Sequence, residues 1–496
     1  MIQYFKEQVG FYHTQAIGFA FFLAWNYFSF FSCGLVPILR LIRSSERYWI
    51  WAALVSMVAA IVIVSISTRK SLLDKKMYGV LAATLATVGT LIIWFSFFNE
   101  ATFREVSAVG GMVTGIGYAM MALVWGDRLS RYNESAIEFS APASFVLSFL
   151  IYFVLLALKG PAAMLVNAAL PLLSMLFAFR TAPIFNSEQY PPAISGGSLS
   201  LRKLGRLLAS ISTLCLLYGM LWFQFAYFRL LATPDVLGDR FLHYLVPFSC
   251  SFVLSIIVFL ACLRFSRYLN FTLMFRWGLP LMLLSYAILY YNYSDPTGKI
   301  LAYTVNFIGM FGVQFSFWIS APKYVRRTNI PPYVVFGALI AAEGLGIFLG
   351  TGYGLSIIDG VTAENVMHES LLLFVILLLV TMAVGFNPRW SFSRLGGIDQ
   401  EERSRSNTPD DALLAENISS LFEQQAQELR DRYGLSQRET EVASLLLAGR
   451  SRPYIRDELV ISLNTVHSHA SNIYTKCEVH SQREFMDLMD SSAKTR

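Results

Sequence analysis

Two groups of residues have types and spacings that can do chemistry. Near the C-terminus, Asn464, Ser468, Ser471 and Thr475 recur at i, i+4, i+7 and i+11. That spacing places small hydrogen-bonding side chains along one helix face. Val466, Ala470, Ile473 and Cys477 repeat the same spacing two residues off and form a buried stripe on the opposite face. Thr465, His467, Asn472 and Lys476 flank or join the polar face. A short helix, a turn and a helix with such an outer face is the plan by which a protein helix enters the major groove of DNA. The second group lies in apolar sequence. Glu343 sits in the middle of the apolar run 334–352. A carboxylate at membrane depth is costly, so it normally faces a cavity and has a role. Asn26, Asn167, Gln224, Asn306 and Gln314 share that depth, and Arg276 lies near a span end where it can snorkel. Asn26, Gln224, Asn306, Gln314 and Glu343 are expected to line a ligand cavity near the midplane. The alternative for each is a hydrogen bond that joins two helices.

The elements that position these residues follow from composition. Of 496 residues, 55% are hydrophobic and only 15% charged, against about 25% charged in a soluble domain. A soluble enzyme, a disordered chain and a disulfide scaffold are excluded. The polar residues concentrate after Arg389, so a membrane part precedes a soluble one. The five cysteines, Cys33, Cys215, Cys250, Cys262 and Cys477, show no paired or metal-binding spacing. Met1 to Gln15 lacks a basic start and a cleavage site, so the first apolar run is expected to stay as an anchor. Most of the aromatic residues suit lipid-facing bulk and interface belts. Tyr286, Tyr290, Tyr291 and Tyr293 read as such a belt, with an aromatic ligand cage as the alternative.

A span needs roughly 20 apolar residues. Twelve segments qualify: near 15–39, 49–67, 77–98, 106–125, 140–158 and 161–179, then 207–231, 243–263, 272–291, 300–320, 332–353 and 370–386. The polar break from Arg180 to Arg206 divides them six and six. With both termini cytoplasmic, the inner loops hold fifteen Lys and Arg and the outer loops eight, which is the orientation that the positive-inside rule selects. Twelve spans in two sixes with a long central loop resemble the major facilitator superfamily over about residues 10–390. The loop Ser67 to Lys76 keeps the charges of that family's motif and lacks its glycines. The resemblance implies the fold, and transport does not follow from fold alone.

The soluble part begins with a linker, 389–409, rich in Gly, Ser and Pro. A helical pattern follows over 410–432. Ser436 and Glu439 have the spacing of a capping box, and so do Ser481 and Glu484. Between them lie a short helix after Ser451 and the groove-face helix after Ser462. The stretches 435–442, 446–449, 455–459 and 462–476 resemble the LuxR (GerE-like) DNA-binding domain, with all four helices in order over about 433–490. The resemblance implies a four-helix domain that binds double-stranded DNA as a homodimer, often through its fourth helix. By position, Thr465, His467, Ser468, Ser471 and Asn472 would face DNA, with Lys476 near phosphates. From Tyr433 onward eight Lys and Arg meet eight acids. Phosphate attraction is therefore weak, and dimerisation and membrane confinement must compensate.

No receiver domain, P-loop, dinucleotide-binding glycine pattern or catalytic triad is present in the sequence. His467 and His469 fall on different helix faces, so no metal site is expected, and no cofactor. The reading is an all-α chain: a twelve-helix membrane bundle over 1–388, a linker and connecting helix over 389–432, and a cytoplasmic four-helix domain over 433–496. It implies a one-component transcription regulator in the bacterial cytoplasmic membrane, not an enzyme, that senses a small molecule or membrane state. The alternative is a secondary transporter with a regulatory DNA-binding tail.

Overall fold

The computed structural model describes residues 2–31, 42–67, 73, 76–98, 102–132, 134–158, 160–180, 201–233, 237–265, 271–328, 330–357, 373–376, 378–379, 422–447, 455, 458–459, 463–479 and 484–485. They divide between two compact units, Met1–Gly397 and Ile398–Arg496. Among the described residues every regular element is helical.

The first unit contains α1 (Ile2–Phe31), α2 (Ile42–Ser67), α3 (Lys76–Ser96), α4 (Phe103–Ser130), α5 (Glu134–Leu158), α6 (Gly160–Arg180), α7 (Leu201–Leu231), α8 (Leu237–Phe265), α9 (Phe271–Tyr291), α10 (Pro296–Thr328) and α11 (Pro332–Ile357). In hydrocarbon each backbone polar group must be satisfied within its own segment, which is why apolar runs of this length fold as helices. Among the described residues, nine helices are long and apolar enough to cross a membrane. α9 contributes a shorter apolar stretch, Gly278–Tyr291. The expected twelfth span, 370–386, lies mostly outside the described residues. Large apolar side chains such as Ile61, Leu81, Val154, Leu216 and Ile257 are exposed on the outside of the bundle.

The helix pairings repeat with a shift of six. α1 packs on α5 as α7 packs on α11, α3 on α4 as α9 on α10, and α2 on α4 as α8 on α10. The contacts between halves obey the same rule: α2 with α11 and α5 with α8 exchange when six is added or subtracted. Two similar halves related by an approximate two-fold axis produce this pattern, and the seam between them is where such folds place their sites.

Glycines set how closely the seam helices approach. A Cβ on Gly346 of α11 would sit 2.2 Å from the Gly219 carbonyl oxygen of α7, and one on Gly344 would sit 2.6 Å from the Ala53 carbonyl oxygen of α2. Both contacts are backbone, which cannot move aside. Small residues in membrane helices permit this close packing, and here they hold α11 against both halves.

The second unit has its own core. A helix over 422–433 is α12; α13 is Gln437–Leu447 and α14 is Leu463–Lys476. Ala426, Leu429, Leu435, Val442, Leu446, Ile455, Val466, Ile473 and Phe485 pack together. α12 thus contributes to this core. Gly434 ends α12 with φ +67°, and its N–H donates to the Arg430 carbonyl at 2.8 Å, a left-handed helix cap suited to glycine. Of the expected short second helix, the Leu459 N–H donates to the Ile455 carbonyl at 3.0 Å. Of the fourth, Glu484 and Phe485 are helical. Ser451, Ser462 and Ser481, expected caps, lie outside the described residues.

Candidate functional site

In the membrane unit, Glu343 projects from the middle of α11 and is buried, with 6% of its surface exposed. Tyr118 of α4 donates its hydroxyl hydrogen to Glu343 Oε1 at 2.8 Å, and Tyr218 of α7 donates to Oε2 at 3.3 Å. The two phenols come from opposite halves. Beside the carboxylate is a cavity of about 30 Å³ lined by Asn26, Phe30, Trp49, Ser56, Tyr118 and Glu343, among others. That volume holds a water molecule or two and is far too small for a sugar.

Aromatic side chains fill the seam on both sides of this cavity. Toward the end carrying the α4–α5 and α10–α11 connections, Trp318 packs on Phe19 at 4.8 Å and Phe315 on Phe145 at 4.9 Å between ring centroids. Toward the other end, Phe248 stacks on Tyr152 at 4.3 Å and Phe307 meets Phe31 at 6.1 Å. Each pair joins one half to the other. An arginine from the second half crosses at each end as well. The guanidinium of Arg229 lies 4.2 Å from the Trp49 ring and 5.3 Å from the Phe31 ring, and Arg326 donates to the Tyr132 carbonyl. Arg229 is buried within α7.

The other polar residues at depth separate into distinct environments. Asn26 lines the Glu343 cavity. Asn306 Nδ2 donates to Ser285 Oγ at 2.8 Å, tying α10 to α9, and Asn167 Nδ2 donates to Ser29 Oγ at 3.0 Å, tying α6 to α1. These are hydrogen bonds between helices of one half. Gln224 on α7 and Gln314 on α10 are buried away from the cavity lining. The Arg276 side chain lies outside the described residues. Tyr286 is buried on Phe228, whereas Tyr290 and Tyr291 are exposed. Tyr118 and Tyr218 were missed by sequence reasoning. Their depth was a usable signal, because belt tyrosines sit at span ends and these two sit mid-helix.

In the second unit the capping box is reciprocal. The Glu439 N–H donates to Ser436 Oγ at 3.3 Å, and the Ser436 N–H donates to Glu439 Oε2 at 2.7 Å. The same carboxylate holds Lys476 Nζ at 2.7 Å, and Nζ also donates to the Gly434 carbonyl at 3.0 Å. Burial opposes ionisation of Glu439, but the Lys476 ammonium and the Ser436 donors outweigh it and hold the carboxyl at about 2. Lys476 therefore ties the end of α14 to the start of α13. Val466, Ala470, Ile473 and Cys477 are buried, as their spacing requires. Ser468, Ser471, Asn472 and Thr475 are exposed and Thr465 is half-buried. The His467 side chain lies outside the described residues. α14 leaves its core-facing stripe covered and its hydroxyl and amide face open. Among the described residues no group of His, Cys, Asp and Glu could hold a metal ion.

A membrane bundle of two similar halves carrying a small helical domain with one open polar helix is the class that the geometry defines. Residues 434–489 match the family model for GerE, described as bacterial regulatory proteins of the luxR family. This part of the chain is a LuxR-type DNA-binding domain. No curated protein matches the sequence. Among solved structures, a bacterial homologue of the iron transporter ferroportin in an outward-facing state is similar at 12% identity. That match has a TM-score of 0.51 and covers 77% of this chain and 99% of that one. The proton:xylose symporter XylE of the major facilitator superfamily, bound to 6-bromo-6-deoxy-D-glucose, also matches at 12% identity and TM-score 0.51, over 78% of this chain and 96% of that one. The membrane unit has the fold of these transporters. The chain is a multi-pass membrane protein with a C-terminal DNA-binding domain.

Proposed function

We propose that the chain is a membrane-bound one-component transcription regulator. The membrane unit responds to a small molecule or to the state of the membrane, and the LuxR-type domain binds promoter DNA. The observation that carries this reading is the open polar face of α14, within a domain matched by the luxR family model, on the same chain as a transporter-like bundle. Thr465, His467, Ser468, Ser471 and Asn472 are assigned to base and backbone contacts in the major groove. Lys476, held by Glu439, adds little phosphate attraction. The domain's balanced charge makes binding depend on pairing two copies and on confinement near the membrane. In this reading twelve spans precede a four-helix tail. Both termini lie in the cytoplasm of a bacterium, and two copies pair on DNA.

The test is chromosomal occupancy by the full-length protein, compared with a Ser468→Glu/Ser471→Glu variant at equal membrane levels. Discrete peaks lost in the variant support the regulator. Peaks absent for both proteins across growth conditions contradict it. A second reading, a secondary transporter with a regulatory tail, is favoured by the seam position of Glu343 in a fold shared with a proton:xylose symporter. Solute uptake that fails in Glu343→Gln, with no change in transcripts, would support it.

A further inference from the structure

Glu343 is a buried carboxyl that pairs with no charged side chain among the described residues. Its carboxylate makes hydrogen bonds to two neutral phenols and to no lysine, arginine or histidine among the described residues. A buried carboxyl is paired with a cation, binds an ion or keeps its proton. Each carboxylate oxygen has two acceptor positions, and the phenols use one on each. The open positions share the cavity with the Asn26 amide, which is 7% exposed and takes no hydrogen bond from or to any described residue. The Ser56 hydroxyl donates its hydrogen to the Ala53 carbonyl at 2.8 Å, so its oxygen is left to accept. Phe30 and Trp49 also line the cavity.

We propose that this cavity binds a small monovalent cation of sodium or ammonium size, held by the Glu343 carboxylate, the Asn26 carbonyl oxygen and the Ser56 hydroxyl oxygen. The volume of about 30 Å³ admits such an ion and excludes organic cations with bulky substituents. The site lies between α1, α2 and α4 of the first half and α11 of the second, with Tyr218 of α7 behind it. An ion there joins the two halves, and its loss leaves the carboxylate uncompensated across the seam. The assignment identifies the ligand class of the membrane unit, and it rests on the reading of that unit as the sensing part.

The experiment uses the full-length protein in phosphatidylcholine nanodiscs. Thermal unfolding is followed in sodium, ammonium and choline chlorides at equal ionic strength and pH. The melting temperature of the wild type is expected to rise with the logarithm of sodium or ammonium concentration, relative to choline. The rise disappears in Glu343→Gln and in Asn26→Leu, the second variant serving if the first fails to fold. Equal melting of the wild type in all three salts overturns the site. So does a shift that follows pH alone and is the same in each salt, because a proton would then be neutralising Glu343. Chromosomal occupancy is read separately. A cation effect without occupancy keeps the site and discards the regulator. Occupancy without a cation effect keeps the regulator and discards the site.

Discussion

The two units place their polar chemistry on opposite sides of their helices. In the LuxR-type domain the apolar stripe of α14 faces inward, and Ser468, Ser471 and Asn472 face solvent. In the membrane unit apolar side chains cover the outside, and Glu343, Asn26 and Tyr118 face a cavity between the halves. The outer face of α14 stays available for a partner that arrives from solution. The inner cluster lies in a seam packed with aromatic rings and crossed by Arg229 and Arg326. Such an arrangement suits a bistable device in which a small change at the seam shifts the packing of the halves.

Four substitutions each disturb one unit and leave the other intact. The largest effect is expected from Ile473→Asp, which buries an unpaired charge in the small core and costs on the order of 4 kcal/mol or more. Hydrogen exchange should show loss of protection over α13 and α14, while α2 to α11 keep theirs because their core is separate. Gly346→Val forces a side chain against the α7 backbone and costs about 1–3 kcal/mol or more by overpacking. Here protection should fall in α7 and α11, with α14 unchanged.

Glu439→Gln removes the Lys476 ion pair and weakens the cap of α13, at a cost of about 1–2 kcal/mol. The wild-type carboxyl is depressed from 4.5 to about 2 in the folded domain. Its stabilisation is therefore full above pH 4.5 and is lost as pH falls toward 2. Comparing exchange in α13 near pH 6 and pH 3 should show the variant's deficit shrinking at the lower pH. The smallest effect is at Glu478, a non-glycine residue with φ +56° just past α14. Glu478→Gly relieves left-handed strain and adds backbone entropy to the unfolded chain, for a net gain of about 0.5 kcal/mol. Slower exchange of the Val479 amide, which donates to the Tyr474 carbonyl at 3.0 Å, would register it.

What the sequence revealed differs between the units for a physical reason. Contacts in the DNA-binding domain are largely local. The Ser436–Glu439 box spans three residues, and the α14 stripe repeats within one helix, so spacing alone predicts both. The Lys476–Glu439 pair spans 37 residues and was not legible. In the membrane unit the polar residues were easy to find and hard to interpret. The partners of Glu343 lie 225 and 125 residues away in Tyr118 and Tyr218. Nothing in the local pattern separates Asn26, beside the cavity, from Asn306, which bonds to Ser285. Helical periodicity fixes which face a residue occupies, and only the packing of the halves decides what that face meets.

The regulator proposal requires that the state of the membrane cluster govern DNA binding by the tail. The most direct test maps chromosomal occupancy of the full-length Glu343→Gln protein against wild type, at matched membrane abundance and with α13–α14 protection intact. Peaks at the same positions with altered occupancy are expected, because the groove face is unchanged. Identical occupancy for the two proteins under every condition that alters wild-type occupancy would contradict it.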